Sequence, residues 1–135
     1  MRVSRRSVLA AIPLMGCAGE ARALVNIVHV TPDGEGDGSS WANAASFAAI
    51  GDLLEQLEPG GQVLLAADRG VYEIGEPVEI ARGGRESREI HIRGVRSSTG
   101  EPMMAIIRGD RAGEEGPEGF KLMRGASHLK FSHFD

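Results

Sequence analysis

Hydrophobic residues recur at steps of three and four between residues 41 and 57, which is the period of an amphipathic helix. The apolar stripe consists of Phe47, Ile50, Leu54 and Leu57. The hydroxyl of Ser39 or Ser40 is placed to accept a hydrogen bond from the first free amides, so one of them is predicted to cap the helix. Residues 58–61 (EPGG) are predicted to end it.

Outside this helix the hydrophobic period is two. Residues 26–31 alternate in a β-branched context and predict a strand, which a turn over residues 32–38 follows. After Gly61 the alternation predicts further strands over residues 63–67, 70–73, 77–80, 88–93, 104–107, 120–123 and 129–134. Glycine-rich turns separate these strands and no helical period interrupts them, which disfavours a βαβ fold.

The strands after the helix return at nearly equal intervals. Leu65 and Ile92 are 27 residues apart, and Ile92 and Phe131 are 39 apart. The polar insertion over residues 109–119 supplies 11 of those 39 residues, which leaves 28. Two similar intervals indicate a repeat whose length fits one turn of a three-sided β-coil.

Composition narrows the class of protein. With 135 residues and 14.3 kDa, the chain is long enough for one domain. Its 19 glycines and 4% aromatic residues favour a turn-rich architecture over a helical bundle. A net charge of −4 excludes a general nucleic-acid binder, which needs a basic stripe. A single cysteine excludes a disulfide scaffold and a cysteine-built zinc site.

Residues 1–23 have the organisation of a signal peptide. Positive charge comes first, at Arg2, Arg5 and Arg6, and an apolar run follows over residues 8–15. That run is about half the ~20 residues that a membrane-spanning helix needs, so no membrane span is predicted. Residues 21–23 (ARA) supply the small-x-small pattern that signal peptidase cleaves. We therefore expect a bacterial protein that is exported to the periplasm or secreted.

Two finer features of this segment concern the export route. Residues 4–9 (SRRSVL) resemble a twin-arginine export signal, with Val8 where that signal prefers Phe. Residues 14–17 (LMGC) resemble a lipobox, which would make Cys17 a lipid-modified N-terminus. Lipid anchoring at Cys17 and cleavage after Ala23 are competing predictions, of which cleavage after Ala23 is favoured.

Four stretches of the mature chain form a recognisable set. They are residues 29–34 (HVTPDG), 37–44 (DGSSWANA), 59–72 (PGGQVLLAADRGVY) and 89–94 (EIHIRG). In this order they resemble the N-terminal portion of the pectin-lyase-like right-handed parallel β-helix proteins. Gly61 stands where that family more often has Asp, and the turn over residues 67–70 is longer than the family's usual turn.

The resemblance implies an all-β fold, a right-handed parallel β-helix (solenoid) with an N-terminal capping α-helix. Residues 24–61 would form the cap, from a strand, a loop and a helix, and residues 62–135 the first coils. About three coils fit this length and no C-terminal cap follows them, so we expect a truncated solenoid. Missing C-terminal coils, or a partner, would then cover its open end.

The same resemblance implies a function. Many members of this family are polysaccharide lyases or glycoside hydrolases, and others are adhesins or surface proteins. We therefore expect an exported protein that acts on polysaccharide and is inactive in this short form, because most catalytic residues would belong to later coils. The alternative is a non-catalytic carbohydrate-binding or surface module, so the question of enzyme or module stays open.

Charged side chains on two predicted strands are the candidate saccharide-binding residues. Where Ile90 and Ile92 face the core on one strand, and Leu129 and Phe131 on the other, their neighbours face outward. The outward residues are Glu89, His91 and Arg93 on the first strand, and His128, Lys130 and Ser132 on the second. Parallel stacking would place the two rows about 4.8 Å apart. Such cations suit an acidic sugar, because Arg binds carboxylates through two parallel hydrogen bonds. The alternative is a solvated face of mixed charge.

An acidic loop is a weak candidate for a Ca²⁺ site, the one cofactor that the sequence suggests. Asp33, Glu35 and Asp37 alternate ahead of Gly38, which resembles the first half of an EF-hand loop. The pattern then fails, since Ala44 stands where the loop needs a bidentate Glu. A flexible acidic surface loop is the favoured interpretation.

Three other residues are assigned structural roles. Trp41, at the predicted helix start, is expected to pack on the first coil rather than to act as a sugar-stacking platform. His29 lies between Val28 and Val30 and faces away from whatever they bury, as a surface or edge residue. His133 has the inward parity of its strand, unless that strand bends first.

Overall fold

The computed structural model describes residues 25–109 and 119–135 of the chain. The predicted signal peptide, with its two alternative processing sites at Cys17 and Ala23, lies outside the described residues. So does most of the predicted polar insertion over residues 109–119.

Strands dominate the described part of the chain, and their order follows the predicted alternation. They are β1 (Val25–Val30), β2 (Leu57–Ala66), β3 (Tyr72–Ile74), β4 (Val78–Ile80), β5 (Ile90–Val95), β6 (Ile107–Gly109), β7 (Phe120–Leu122) and β8 (Leu129–Ser132). The prediction for residues 104–107 was misplaced. The strand there begins only at Ile107, and Ala105 forms an isolated bridge to Phe134.

All of these strands pair in parallel, in three sheets. The first sheet has the order β1-β2-β5-β8, while β3 pairs with β6 and β4 pairs with β7. Along the chain, β2, β3 and β4 visit the three sheets in turn, β5, β6 and β7 revisit them in the same order, and β8 returns to the first. The structure is therefore an all-β arrangement of parallel sheets with little helix.

The observed register corrects the predicted repeat. Val63 pairs with Ile92, and Ile92 pairs with Phe131. Leu65 pairs with Gly94 rather than with Ile92, so the predicted interval of 27 residues is two short. Because the side-chain period of a strand is two, this error left the predicted inward and outward faces unchanged.

Inward-facing side chains of successive strands stack into one core. Val28, Val63 and Ile92 occupy the same register position on β1, β2 and β5, and each is almost fully buried. Tyr72 enters this core from β3, and its hydroxyl lies 2.9 Å from the Val30 carbonyl and 3.0 Å from the Ala66 carbonyl. The Tyr72 hydroxyl therefore links the first three strands.

The helix is shorter than predicted. A single α-helical turn, α1 (Ile50–Leu53), is flanked by 3-10 turns at Phe47–Ala49 and Leu54–Gln56. The apolar stripe was predicted correctly, since Phe47, Ile50, Leu54 and Leu57 are all buried. In the described part of the chain no helix is long and apolar enough to cross a membrane.

The segment before α1 covers the edge of β1 instead of extending the helix. The His29 N–H donates to the Gly38 carbonyl (2.8 Å), and the Thr31 N–H donates to the Ala45 carbonyl (3.1 Å). The Ser40 hydroxyl does accept a hydrogen bond from the Asn43 N–H (3.1 Å), but it caps a turn, and the helical segment begins only at Phe47. Ser46 is the residue that precedes the helical segment, and its side chain makes no capping hydrogen bond. Pairing with an otherwise open strand edge outcompetes helix formation in this segment.

The predicted stop at residues 58–61 is also displaced. The helical segment ends at Gln56, and Leu57 already pairs with Val25 in the first sheet. The next pair joins Ile27 to Gln62, so residues 58–61 bulge out of β2. Gly60 adopts a φ of 90° there, in the left-handed region that favours glycine.

His133 does not follow the inward parity of β8. The strand ends at Ser132, and His133 takes a φ of 63° with an exposed side chain. Phe134 packs against the core instead. The chain therefore bends between Ser132 and Phe134, which is the exception that the prediction for His133 allowed.

Candidate functional site

The outward side chains of the first sheet form the candidate site. Its register places Gln62, His91 and Lys130 in one row across β2, β5 and β8. Arg93 and Ser132 pair in the next row along the same strands. We refer to these five residues, Gln62, His91, Arg93, Lys130 and Ser132, as the outer sheet face. The outward side chains of β5 and β8 therefore lie alongside each other as predicted, with His91 beside Lys130.

Two hydrogen bonds order this face. The Nε2 atom of His91 lies 2.6 Å from the Ser132 hydroxyl oxygen. The Nε–H of Arg93 donates to the Gln62 Oε1 atom at 2.9 Å. Each contact joins neighbouring strands, so the side chains are held by the sheet rather than by a loop.

The surroundings of His91 favour its neutral imidazole. Partial burial is the main reason that the pKa of His91 lies below its usual value of 6.5. Lys130, Arg93 and His133 lower this pKa further, while Glu89 opposes them. A neutral imidazole near pH 7 can accept a proton or a hydrogen bond.

The cations of this face are not neutralised within the described residues. In residues 25–109 and 119–135 the one ion pair joins Arg108 to Glu73, at 3.8 Å between exposed side chains. Arg93 and Lys130 therefore carry positive charge on the outer sheet face without a carboxylate partner from that part of the chain.

The other two predicted site residues lie where the strands begin. Glu89 is exposed immediately before β5. His128 precedes β8 with a φ of 53°, and its ring contacts the neighbouring Ser127 hydroxyl at 3.3 Å. The His128 carbonyl accepts a hydrogen bond from the Ile90 N–H (3.0 Å), which is a backbone role. The structure thus brings three of the five predicted residues together and leaves Glu89 and His128 at the margin.

Gln62 is the site residue that sequence reasoning missed. Its outward position follows from the alternation of β2, because Val63 and Leu65 are buried. Its place beside His91, however, depends on the register between β2 and β5, which the interval of 27 residues placed two positions away. The alternation of β2 alone could have identified the residue but not its neighbour.

A cleft of about 520 Å³ lies beside Trp41, away from the outer sheet face, and opens between the acidic loop and Arg69. The edge of the His29 ring meets Trp41 at 4.7 Å between centroids, and the Arg69 guanidinium lies 5.9 Å from the Trp41 ring centre. Trp41 therefore packs between β1 and the turn after β2, as the predicted cap role requires.

The three acidic residues of the loop do not converge. Asp37 is turned into its own loop, where the Ser39 N–H and hydroxyl donate to its Oδ1 atom at 3.0 and 2.7 Å. These hydrogen bonds lower the pKa of Asp37. Asp33 and Glu35 line the cleft beside Trp41 instead. No cluster of three potential metal ligands occurs in the described ranges, so the Ca²⁺ site stays a prediction without structural support.

The layer around β7 and β8, nearest the C-terminus, leaves its aromatic residues partly exposed. Phe120 lies 5.1 Å from Phe131 and 6.0 Å from Phe134 between ring centroids. Together with Leu122, which is 55% exposed, they line an apolar hollow of about 340 Å³. In contrast with β1, whose edge is paired with residues 38–45, this layer presents apolar surface to solvent.

No protein-family model matches the chain, and no curated protein or solved structure is significantly similar to it. The sequence motifs, the strand register and the outer sheet face are therefore the basis for a functional proposal.

Proposed function

We propose that the chain forms the cap and first coils of a right-handed parallel β-helix, in an exported bacterial protein that acts on polysaccharide. The order in which the chain visits the three parallel sheets supports this fold. So do the inward ladders, such as Val28, Val63 and Ile92, because each coil of a solenoid buries its apolar side against its neighbours.

The outer sheet face is the proposed saccharide-binding surface. The observation that carries this proposal is the cross-strand placement of Arg93 and Lys130 beside Gln62 and His91, without a carboxylate partner in the described residues. Arg93 is oriented by its hydrogen bond to Gln62. Guanidinium and ammonium groups bind the carboxylates of acidic sugars, and amide and imidazole groups hydrogen-bond hydroxyls.

Affinity electrophoresis with soluble polymers tests this surface. The full-length chain should be retarded by polygalacturonate or alginate and not by the neutral polymer dextran. A double variant, Arg93→Gln with Lys130→Gln, should lose most of the retardation, since it removes both cations. The control is Lys121→Gln with Arg124→Gln, which changes net charge equally on exposed residues away from the outer sheet face. Equal retardation of the two double variants would reject this surface as the binding site.

The proposal has two versions, an enzyme and a non-catalytic binding module, and an absorbance assay distinguishes them. A lyase abstracts a proton beside a uronate carboxylate that a cation neutralises, and its unsaturated product absorbs ultraviolet light. The binding-module version predicts binding without any rise in absorbance. A rise in absorbance with polygalacturonate, alginate or chondroitin would instead identify a lyase.

Export and the open end are tested by one mass measurement. The intact protein from the envelope of its native host should lack residues 1–23 if signal peptidase cleaves after Ala23. A lipid-modified mass beginning at Cys17 would establish the anchored alternative. A species far heavier than 14.3 kDa would show that the protein is longer than this chain, whereas for a lighter one we propose a partner that covers Phe131 and Phe134.

A further inference from the structure

One side-chain contact on the outer sheet face has the geometry of a nucleophile with its base. The Ser132 hydroxyl oxygen lies 2.6 Å from His91 Nε2, within the hydrogen-bond reach that activates serine nucleophiles. We propose that Ser132 and His91 form a catalytic pair that cleaves carboxylic esters. This proposal goes beyond polysaccharide binding and does not depend on it, because the pair is defined by its own geometry.

The backbone around Ser132 supports the assignment. Ser132 is the last residue of β8, and His133 follows it with a φ of 63°, a left-handed conformation that is uncommon for a non-glycine residue. The bend also brings His133 Nδ1 to 3.1 Å from the Ser132 hydroxyl oxygen.

The hydroxyl oxygen of Ser132 thus lies between two imidazoles and has one proton to donate. When that proton points to His91 Nε2, the Nδ1–H of His133 can donate to the same oxygen. In this arrangement Ser132 is oriented toward His91 and His91 acts as the base. We assign His133 as a positioning residue, because it acts through Ser132.

The groups around His91 suit the role of a general base. Lys130 and Arg93 contribute positive charge near its ring, and Glu89 opposes their effect. A neutral imidazole is the form that accepts the Ser132 proton. The charges of Lys130 and Arg93 favour the negative charge that develops on the carbonyl oxygen of an ester during attack.

The reaction proceeds in two balanced steps. Ser132 Oγ forms a bond to the carbonyl carbon, its proton passes to His91 Nε2, and the bond to the alkoxy group breaks as that group takes the proton and leaves as an alcohol. Water then attacks the acyl-serine and gives a proton to His91, which returns it to Ser132 as the carboxylic acid leaves. Water is the only co-reactant.

Two readouts on the full-length chain test the pair. The first is hydrolysis of p-nitrophenyl acetate, and the second is covalent labelling by phenylmethylsulfonyl fluoride, located by peptide mass spectrometry. Ser132→Ala and His91→Gln should each lower the hydrolysis rate by roughly 100-fold, the scale of a lost nucleophile or general base. Labelling should occur on Ser132 and should fall in His91→Gln.

The chain contains a matched control pair. Ser127 and His128 are also in contact, at 3.3 Å, but are exposed and outside the outer sheet face. Ser127→Ala should keep the full rate and the full labelling of Ser132. Circular dichroism of each variant establishes that it is folded. An unlabelled Ser132 in the folded protein, or hydrolysis that persists in folded Ser132→Ala, would overturn the proposal whether or not polysaccharide binds.

The pH dependence gives a further discriminating readout. If His91 is the base, the rate should increase as its imidazole loses a proton, with a midpoint below the ordinary histidine pKa of 6.5. His133→Gln should reduce the rate and move that midpoint upward, because His133 orients Ser132 and also lowers the pKa of His91. A profile that follows a midpoint well above 6.5 would contradict the role of His91.

Discussion

The hydroxyl of Tyr72 offers the sharpest test of how β1, β2 and β3 are held together. It is 1% exposed, and its oxygen lies within hydrogen-bond distance of the carbonyls of Val30 and Ala66. Tyr72→Phe removes this donor and keeps the ring, which packs against Phe47 at 5.7 Å between centroids. We expect a loss of about 1–2 kcal/mol in the free energy of unfolding, since a buried acceptor loses its donor.

The same substitution should change the response to alkaline pH. Burial, first of all, raises the pKa of Tyr72 above its usual value of 10. Above pH 10 the unfolded chain therefore releases a proton that the folded chain keeps, so the free energy of unfolding decreases as pH rises toward the folded-state pKa. The limiting slope is about 1.4 kcal/mol per pH unit, and Tyr72→Phe should lack this contribution.

Urea unfolding at pH 7 and at several values above pH 10 measures both effects. The chain has one tyrosine, so tyrosinate absorbance reports Tyr72 alone. The difference in unfolding free energy between the parent and Tyr72→Phe isolates the tyrosine, because the other titrating groups are common to both. A difference below about 0.3 kcal/mol at pH 7, or tyrosinate that forms near pH 10 in the folded protein, would refute the reasoning.

Two further predictions concern the core. Ile92→Ala should cost about 2–5 kcal/mol in urea unfolding because Ile92 is fully buried, whereas Ile106→Ala, at a residue 45% exposed, should cost under about 1 kcal/mol. Equal losses would contradict the core assignment. Gly94→Ala should destabilise by about 1–3 kcal/mol, because an added Cβ would collide with the carbonyl oxygens of Met103 and His133. An unchanged midpoint of unfolding would contradict the close packing of the backbone around Gly94.

The strands were predictable because alternation is a local property. Residues 88–93 alternate so regularly that Ile90 and Ile92 could be assigned to the core, and both are fully buried. The outward direction of His91 and Arg93 followed from the same parity. What parity does not specify is which residue of the neighbouring strand lies alongside, and this is why Gln62 was missed.

The helix shows where a local signal fails. Apolar spacing predicted seventeen residues of helix over 41–57. Ala45 instead pairs with the edge of β1, and the carbonyls of Asn43 and Ala44 accept hydrogen bonds from the N–H groups of Gly38 and Gly36. Helix propensity is a weak preference that tertiary contacts override. The stripe from Phe47 to Leu57 was nevertheless assigned to the core correctly, because burial depends on spacing and not on the exact type of helix.

The register of β8 connects the fold to the proposed chemistry. A shift of one residue would turn Ser132 into the core, since successive side chains of a strand point to opposite faces. A shift of two in one direction would pair Ser132 with Val95 and move it away from His91, whereas a shift of two in the other direction would place it directly beside His91. Serine-directed labelling that depends on His91 therefore tests the parity of the strands and excludes the registers that move Ser132 away from His91. A positive result would support the architecture along with the nucleophile.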